Sequence, residues 1–193
     1  MAILVSGSGR TALNLVAACR AGSLDAEPAL VVAHREEAAA VARLRAEGVR
    51  VAVVPKGDAL DDRIDAVLAA AGAELVCLAG YLRRFRVGER WRGRTLNIHP
   101  GLLPRFGGQG MFGLHVHRAV LAAGVSESGC TVHEVDEEYD HGATVLERRC
   151  PVLRGDTPET LAARVFELEL AAFPEAIARH MRTLRQAPAA AHR

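Results

Sequence analysis

Five short apolar runs, separated by longer segments with helical periodicity, fill the first hundred residues, and this alternation limits what the chain can fold into. The runs are "AILVS" (2–6), "ALVVAH" (29–34), "VRVAVV" (49–54), "ELVCLAG" (74–80) and "RTLNIH" (94–99). Between them, "TALNLVAACRAG" and "REEAAAVARLRAEG" read as amphipathic helices stopped by Gly22 and Gly48, and "LDDRIDAVLAAAG" (60–72) as a third. Near-continuous apolar strands must be covered on both sides, a condition met by a parallel sheet between helical layers. The pattern predicts an α/β fold with a doubly wound, mostly parallel sheet and helices on both faces.

Past His99 the texture changes. "PGLLPRFGGQGMFG" (100–113) is a Gly- and Pro-rich loop, and "LHVHRAVLAAG" (114–124) a helix. "SGCTVHEVD" (128–136) and "ATVLERRCPV" (143–152) flank "EEYDHG" as a C-terminal β-hairpin. A long last helix opens at "DTPET" (156–160), with Thr157 as N-cap and Pro158 at the first helical position. Thr160 at the third position leaves the capping box incomplete. Pro174 is expected to break or kink this helix, because proline has no N–H to donate. The tail over 182–193 reads as frayed. No repeat or second apolar pattern demands a separate core, so one domain over 1–193 is expected.

Half of the 193 residues are hydrophobic, enough for a substantial core. With 24 basic and 23 acidic side chains, the net charge of +1 leaves no electrostatic footprint for nucleic acid or a membrane surface. Any phosphate must be held by local geometry. An aromatic content of 4% gives little for stacking single-stranded bases. No run approaches the roughly 20 apolar residues of a membrane span. The start "MAILVSGSG" has no secretory pattern, and Cys19, Cys77, Cys130 and Cys150 have no C-x-x-C spacing. Four buried free thiols in a reducing cytoplasm are expected. Small-molecule substrates are the expected partners, with no nucleic acid and no membrane, in a monomer or homodimer.

"SGSGRTALN" (6–14) joins the first strand to the first helix, where glycines admit an anion close to the backbone and the helix start offers free N–H groups. Phosphate binding is one reading; a tight turn is the other. A dinucleotide fold wants an acidic residue at the end of the second strand, and "VAHRE" offers His34, Arg35 and then Glu36. An arginine there suits a 2′-phosphate, and the loop alone does not reject a dinucleotide.

"NIHPGLLP" (97–104) ends the fifth strand, with Asn97 and His99 on alternate positions and so on one side of the sheet. Ligands of an open parallel sheet collect beyond the carboxyl ends of its strands, so these residues share an edge with the glycine loop. A histidine doing proton work needs an acid to orient it, and Asp140 in "EEYDHG" is the candidate, Gly142 letting that turn bend tightly. An Asx turn residue is the alternative for Asp140. His115 and His117, two apart on a helix, face different ways, and with His99, His133 and His141 they form no metal-ligand spacing; no metal is expected.

"SGSG" after the first strand, "LAGYLRRF", "NIHPGLLP", "GLHVH" and "VDEEYDHG", in this order and spacing, resemble the phosphoribosylglycinamide formyltransferases, within the folate-dependent formyltransferase superfamily. The resemblance runs from about Ile3 to about Pro174. It implies Asn97, His99 and Asp140 as a catalytic trio. It also implies Gly7, Ser8, Gly9, Arg10 and Thr11 at the ribonucleotide phosphate, and Glu169 at the other end of that substrate. Leu82, Arg83, Arg84 and Phe85 would line the folate pocket, with Asp136, Glu137, Glu138, Tyr139 and Asp140 closing over the pterin. From the residues alone, "LRRF" reads equally as a solvated turn and Glu169 as an exposed helix carboxylate. The family often has Ser where Gly101 stands and commonly a Ser-Asn pair in place of Arg10 and Thr11.

The resemblance implies formyl transfer from 10-formyltetrahydrofolate, a co-substrate, to the amine of glycinamide ribonucleotide in purine biosynthesis, by direct attack and without a metal. The alternatives are a formyltransferase acting on another amine, such as an amino sugar nucleotide, and a non-catalytic nucleotide-binding domain. A carboxylate beside a histidine raises its pKa, so His99 is expected above its ordinary value.

Overall fold

A computed structural model describes residues 1–186. Its sheet has seven strands: β1 (Ala2–Leu4), β2 (Leu30–Ala33), β3 (Val51–Val53), β4 (Val76–Leu78), β5 (Thr95–His99), β6 (Glu127–Glu134) and β7 (Thr144–Pro151). They lie in the order β3-β2-β1-β4-β5-β6-β7. The first five run parallel, while β6 and β7 are antiparallel additions at one edge. Strand order reverses direction beside β1 and β4, which opens a crevice at their carboxyl ends.

The helices are α1 (Arg10–Arg20), α2 (Ala39–Ala46), α3 (Leu60–Ala70), α4 (Gly88–Trp91), α5 (Leu114–Ala122) and α6 (Pro158–Gln186). Alternate strand residues feed two cores. Ile3, Val31, Ala33, Leu96 and Ile98 pack with α1, α2, α5 and α6 on one face. Ala2, Leu4, Leu30, Val32 and Val76 pack with Ile64 and Leu68 of α3 and with Trp91 on the other. Both faces are covered, so strands apolar on both sides lose no apolar surface to water. The edge strand β3 is shorter than the run 49–54, and α2 starts later than residue 35, after a bend at 35–38.

Pro174 does not break its helix: α6 is continuous over 29 residues. The N–H that proline lacks would have bonded the Leu170 carbonyl, and that oxygen accepts instead from Asn14 Nδ2 on α1 at 2.8 Å. The start of α6 also differs from expectation. Thr157 N–H donates to Thr160 Oγ1 at 2.9 Å and Thr160 N–H to Thr157 Oγ1 at 3.3 Å, so a threonine completes the reciprocal cap without a Glu or Gln. Residues 182–186 of the expected tail belong to α6; the rest of it lies outside the described residues. All four cysteines are free, with Cys77, Cys130 and Cys150 buried and Cys19 only partly covered. No described helix is long and apolar enough to cross a membrane.

Candidate active site

A cleft of about 680 Å³ lies at the carboxyl ends of β1, β4 and β5. At one end the chain leaves β1 through Gly7, Ser8 and Gly9 into α1. Gly9 has φ 74°, and a Cβ there would stand 2.7 Å from the Ala40 Cβ, so only glycine lets α2 pack this close to the loop. Gly7 accepts the Ala40 N–H through its carbonyl at 3.3 Å, which ties loop to helix.

In the middle of the cleft, β5 presents Asn97 and His99. Strand register sets Asn97 opposite His133 of β6. Asp140 arrives from the turn between β6 and β7, with a left-handed backbone at φ 53°. A Cβ on Gly142 would fall onto the Glu134 carbonyl oxygen, so that turn folds this tightly only with glycine. The Asx turn here belongs to Asp136, whose Oδ1 accepts the Glu138 N–H at 2.8 Å. Asp140 keeps its carboxylate for the cleft.

Four polar groups meet there. His99 Nδ1 is 3.3 Å from Asp140 Oδ2, Asn97 Nδ2 donates to Asp140 Oδ1 at 3.3 Å, and the Gly108 N–H donates to Oδ2 at 3.0 Å. Backbone carbonyls fix the histidine protons. Nε2–H of His99 donates to the Phe106 carbonyl at 2.7 Å, which leaves Nδ1 toward Asp140. Nδ1–H of His133 donates to the Glu134 carbonyl at 2.7 Å, so its Nε2 accepts from Asn97 Nδ2 at 3.1 Å and the orientation of the Asn97 amide is determined.

A family model described as formyl transferase matches residues 1–177. The chain belongs to the formyl transferase family. A trifunctional purine biosynthetic protein adenosine-3 of Drosophila pseudoobscura pseudoobscura is 39% identical over 92% of the chain, which spans 13% of that protein. The chloroplastic phosphoribosylglycinamide formyltransferase of Arabidopsis thaliana is 37% identical over 92% of the chain, which spans 63% of it. The chain therefore spans less than two thirds of the length of both these curated relatives. The crystal structure of phosphoribosylglycinamide formyltransferase from Brucella melitensis superposes with a TM-score of 0.84 at 38% identity, covering 92% of this chain and 93% of that one.

Gly7, Ser8, Gly9, Arg10 and Thr11 line the cleft with Glu169, and so do Leu82, Arg83, Arg84 and Phe85. Asp136, Glu138, Tyr139 and Asp140 also face it; Glu137 does not, because it is turned to Arg84, at 3.2 Å from the guanidinium. The segment 82–85 is only in part a solvated turn: Leu82 is exposed and Phe85 buried. Glu169 is not an exposed helix carboxylate. It is nine-tenths buried, and burial pushes its carboxyl up to about 7, against the lowering pull of Arg10. No three or more His, Cys, Asp or Glu side chains are grouped to hold a metal among the described residues.

His99 corrects the expectation for its charge. Burial pushes its pKa below the ordinary value and outweighs both the Asp140 carboxylate and the Phe106 carbonyl, which pull it up. Burial also raises Asp140, but its interactions with the His133 and His99 imidazoles and the bond from the Gly108 N–H hold its carboxyl below the ordinary value.

His133 and Phe166 were not singled out by sequence. His133 gave no signal, because its partnership with Asn97 exists only through strand register. Phe166 did have one: Ala162, Phe166 and Glu169 line the cleft at helical spacing, so Phe166 shares the face of a residue already in view.

Proposed function

We propose that this chain transfers the formyl group of 10-formyltetrahydrofolate to the amine of glycinamide ribonucleotide, a step of purine biosynthesis. One observation carries the reading: an amide and an imidazole from β5 and a carboxylate from the turn between β6 and β7 meet within 3.3 Å contacts in a single cleft that starts at a glycine loop. The names of the relatives support it. Gly7 to Thr11, with Glu169, would hold the ribonucleotide. Leu82 to Phe85, with Asp136, Glu138 and Tyr139, would hold the folate. The fit is chemical: exposed Leu82 and Tyr139 offer apolar surface to a flat heteroaromatic ligand, and the glycine loop offers N–H groups to a phosphate. We place Glu137 outside this set, as a partner of Arg84.

Attack of the amine on the formyl carbon forms one C–N bond and moves the carbonyl electron pair onto oxygen. Collapse then breaks the bond to the folate nitrogen, so the proton lost by the amine ends on that nitrogen. Asn97 has two amide hydrogens, and exchanging the Asp140 contact for the formyl oxygen lets it stabilise developing charge while His133 keeps the amide oriented. Because burial keeps His99 neutral near pH 7, its Nδ1 can take up a proton as that charge appears. Asp140 stabilises the imidazolium so formed. No covalent nucleophile is needed.

The test is formyl transfer with purified protein, following both folate and acceptor products. Transfer to glycinamide ribonucleotide, reduced at least about 100-fold in His99→Ala and Asp140→Asn, supports the reading. Free formate as the product, or transfer only to another amine, sinks it.

A further inference from the structure

Three arginines line the cleft, and they are differently engaged. Arg84 is paired with Glu137, while Arg83 has no ion pair or hydrogen bond among the described residues, its charge acts on Tyr81 and His34, and it is stacked on no ring. Arg10 rises from the glycine loop at the first position of α1. Its guanidinium carbon lies 3.9 Å from the centre of the Phe166 ring. It makes no ion pair or side-chain hydrogen bond with any described residue. A guanidinium laid on an aromatic face keeps its plane fixed while its edge N–H groups stay free, and such a fork matches two oxygens of one phosphate.

A second observation lies beside it. Glu169, one helical turn from Phe166, is nine-tenths buried, faces the same end of the cleft and takes no hydrogen bond from a described residue. Its carboxylate oxygens open to the cleft, where a ligand can supply the hydrogen bonds that the protein does not. Arg43, the other cation near the loop, donates to the Ser8 carbonyl at 3.4 Å and does not line the cleft. With a net charge of +1, the chain has no long-range field to hold a dianion, so affinity must come from local cations and the loop N–H groups, and of the three cleft arginines Arg10 is the one held against a ring at the glycine loop.

We propose that Arg10 is the side-chain phosphate clamp of the cleft and that Phe166 is its positioning residue, holding the guanidinium flat before substrate arrives. The clamp rests on the reading that the phosphorylated acceptor lies at this end, and it adds to that reading the source of the charge and of its preorganisation.

Steady-state kinetics of the full chain with glycinamide ribonucleotide and 10-formyltetrahydrofolate, together with calorimetric binding of ribose 5-phosphate, test it. Arg10→Ala should raise KM for the ribonucleotide about ten- to a hundredfold, with kcat and the folate KM changing far less. Arg10→Lys should recover only part of this, because an ammonium lacks the fork. Phe166→Leu should raise the same KM part of the way, and Phe166→Tyr should restore it. A ribonucleotide KM within about twofold of wild type in Arg10→Ala overturns the clamp, as does an equal effect on both KM values and kcat. Ribose 5-phosphate binding that is lost in Arg10→Ala, without any formyl transfer by the wild type, would keep the clamp and overturn the acceptor. Formyl transfer with an unchanged KM in Arg10→Ala would do the reverse.

Discussion

Nδ1 of His99 and Oδ2 of Asp140 face each other at 3.3 Å, one from the end of β5 and the other from the turn between β6 and β7. Nε2 of His99 is already committed to a carbonyl, so Nδ1 has no bonding hydrogen until the ring gains its second proton. The pair is thus arranged to take up one proton, and burial sets how readily it does so.

That arrangement fixes a pH dependence. His99 titrates below its ordinary value because burial disfavours the cation. kcat should therefore fall with acid on a limb below about pH 6.5, where His99 already holds the proton it must accept. Removing the carboxylate in Asp140→Asn removes an upward pull, so the His99 resonance, followed by NMR titration, should move to still lower pH. An upward move would refute the assignment.

Glu169 should trade stability for binding. Its carboxyl holds a proton more tightly folded than unfolded, so its stabilising contribution is complete below the unfolded carboxylate value and is lost as pH rises through about 7. Glu169→Gln should leave stability near pH 4 little changed and raise it at pH 8 by on the order of 3 kcal/mol at most. Denaturant melts at the two pH values measure this, and the acceptor KM should rise in the same variant.

Asn14 should matter because of Pro174. Asn14→Ala leaves the Leu170 carbonyl unpaired, at a cost of about 1–3 kcal/mol. In a Pro174→Ala background the helix regains the missing N–H, and the same substitution should cost much less. A double-mutant cycle by urea unfolding reads the difference, and additivity would show the two sites to be uncoupled.

Gly9→Ala meets both a left-handed backbone and the Ala40 Cβ. It should lose at least about 1–2 kcal/mol from the backbone alone and also weaken ribonucleotide binding. A variant as stable as wild type would mean that the loop can move away from α2.

The sequence by itself determined the alternation of strand and helix, the two-sided cover of the sheet and the edge on which Gly7 to Gly9 meets Asn97 and His99. Those are local facts: the periods of strands and helices, and the rule that strand ends carry ligands, act on neighbours along the chain. Tertiary structure decided what depends on distant segments. Whether Pro174 broke its helix turned on an amide of α1, the orientation of Asn97 on the register of β6, and the turning of Glu137 out of the cleft on Arg84. The direction of the His99 shift was a contest between a carboxylate the sequence displays and a burial it does not, and desolvation won because several elements together exclude water from the ring.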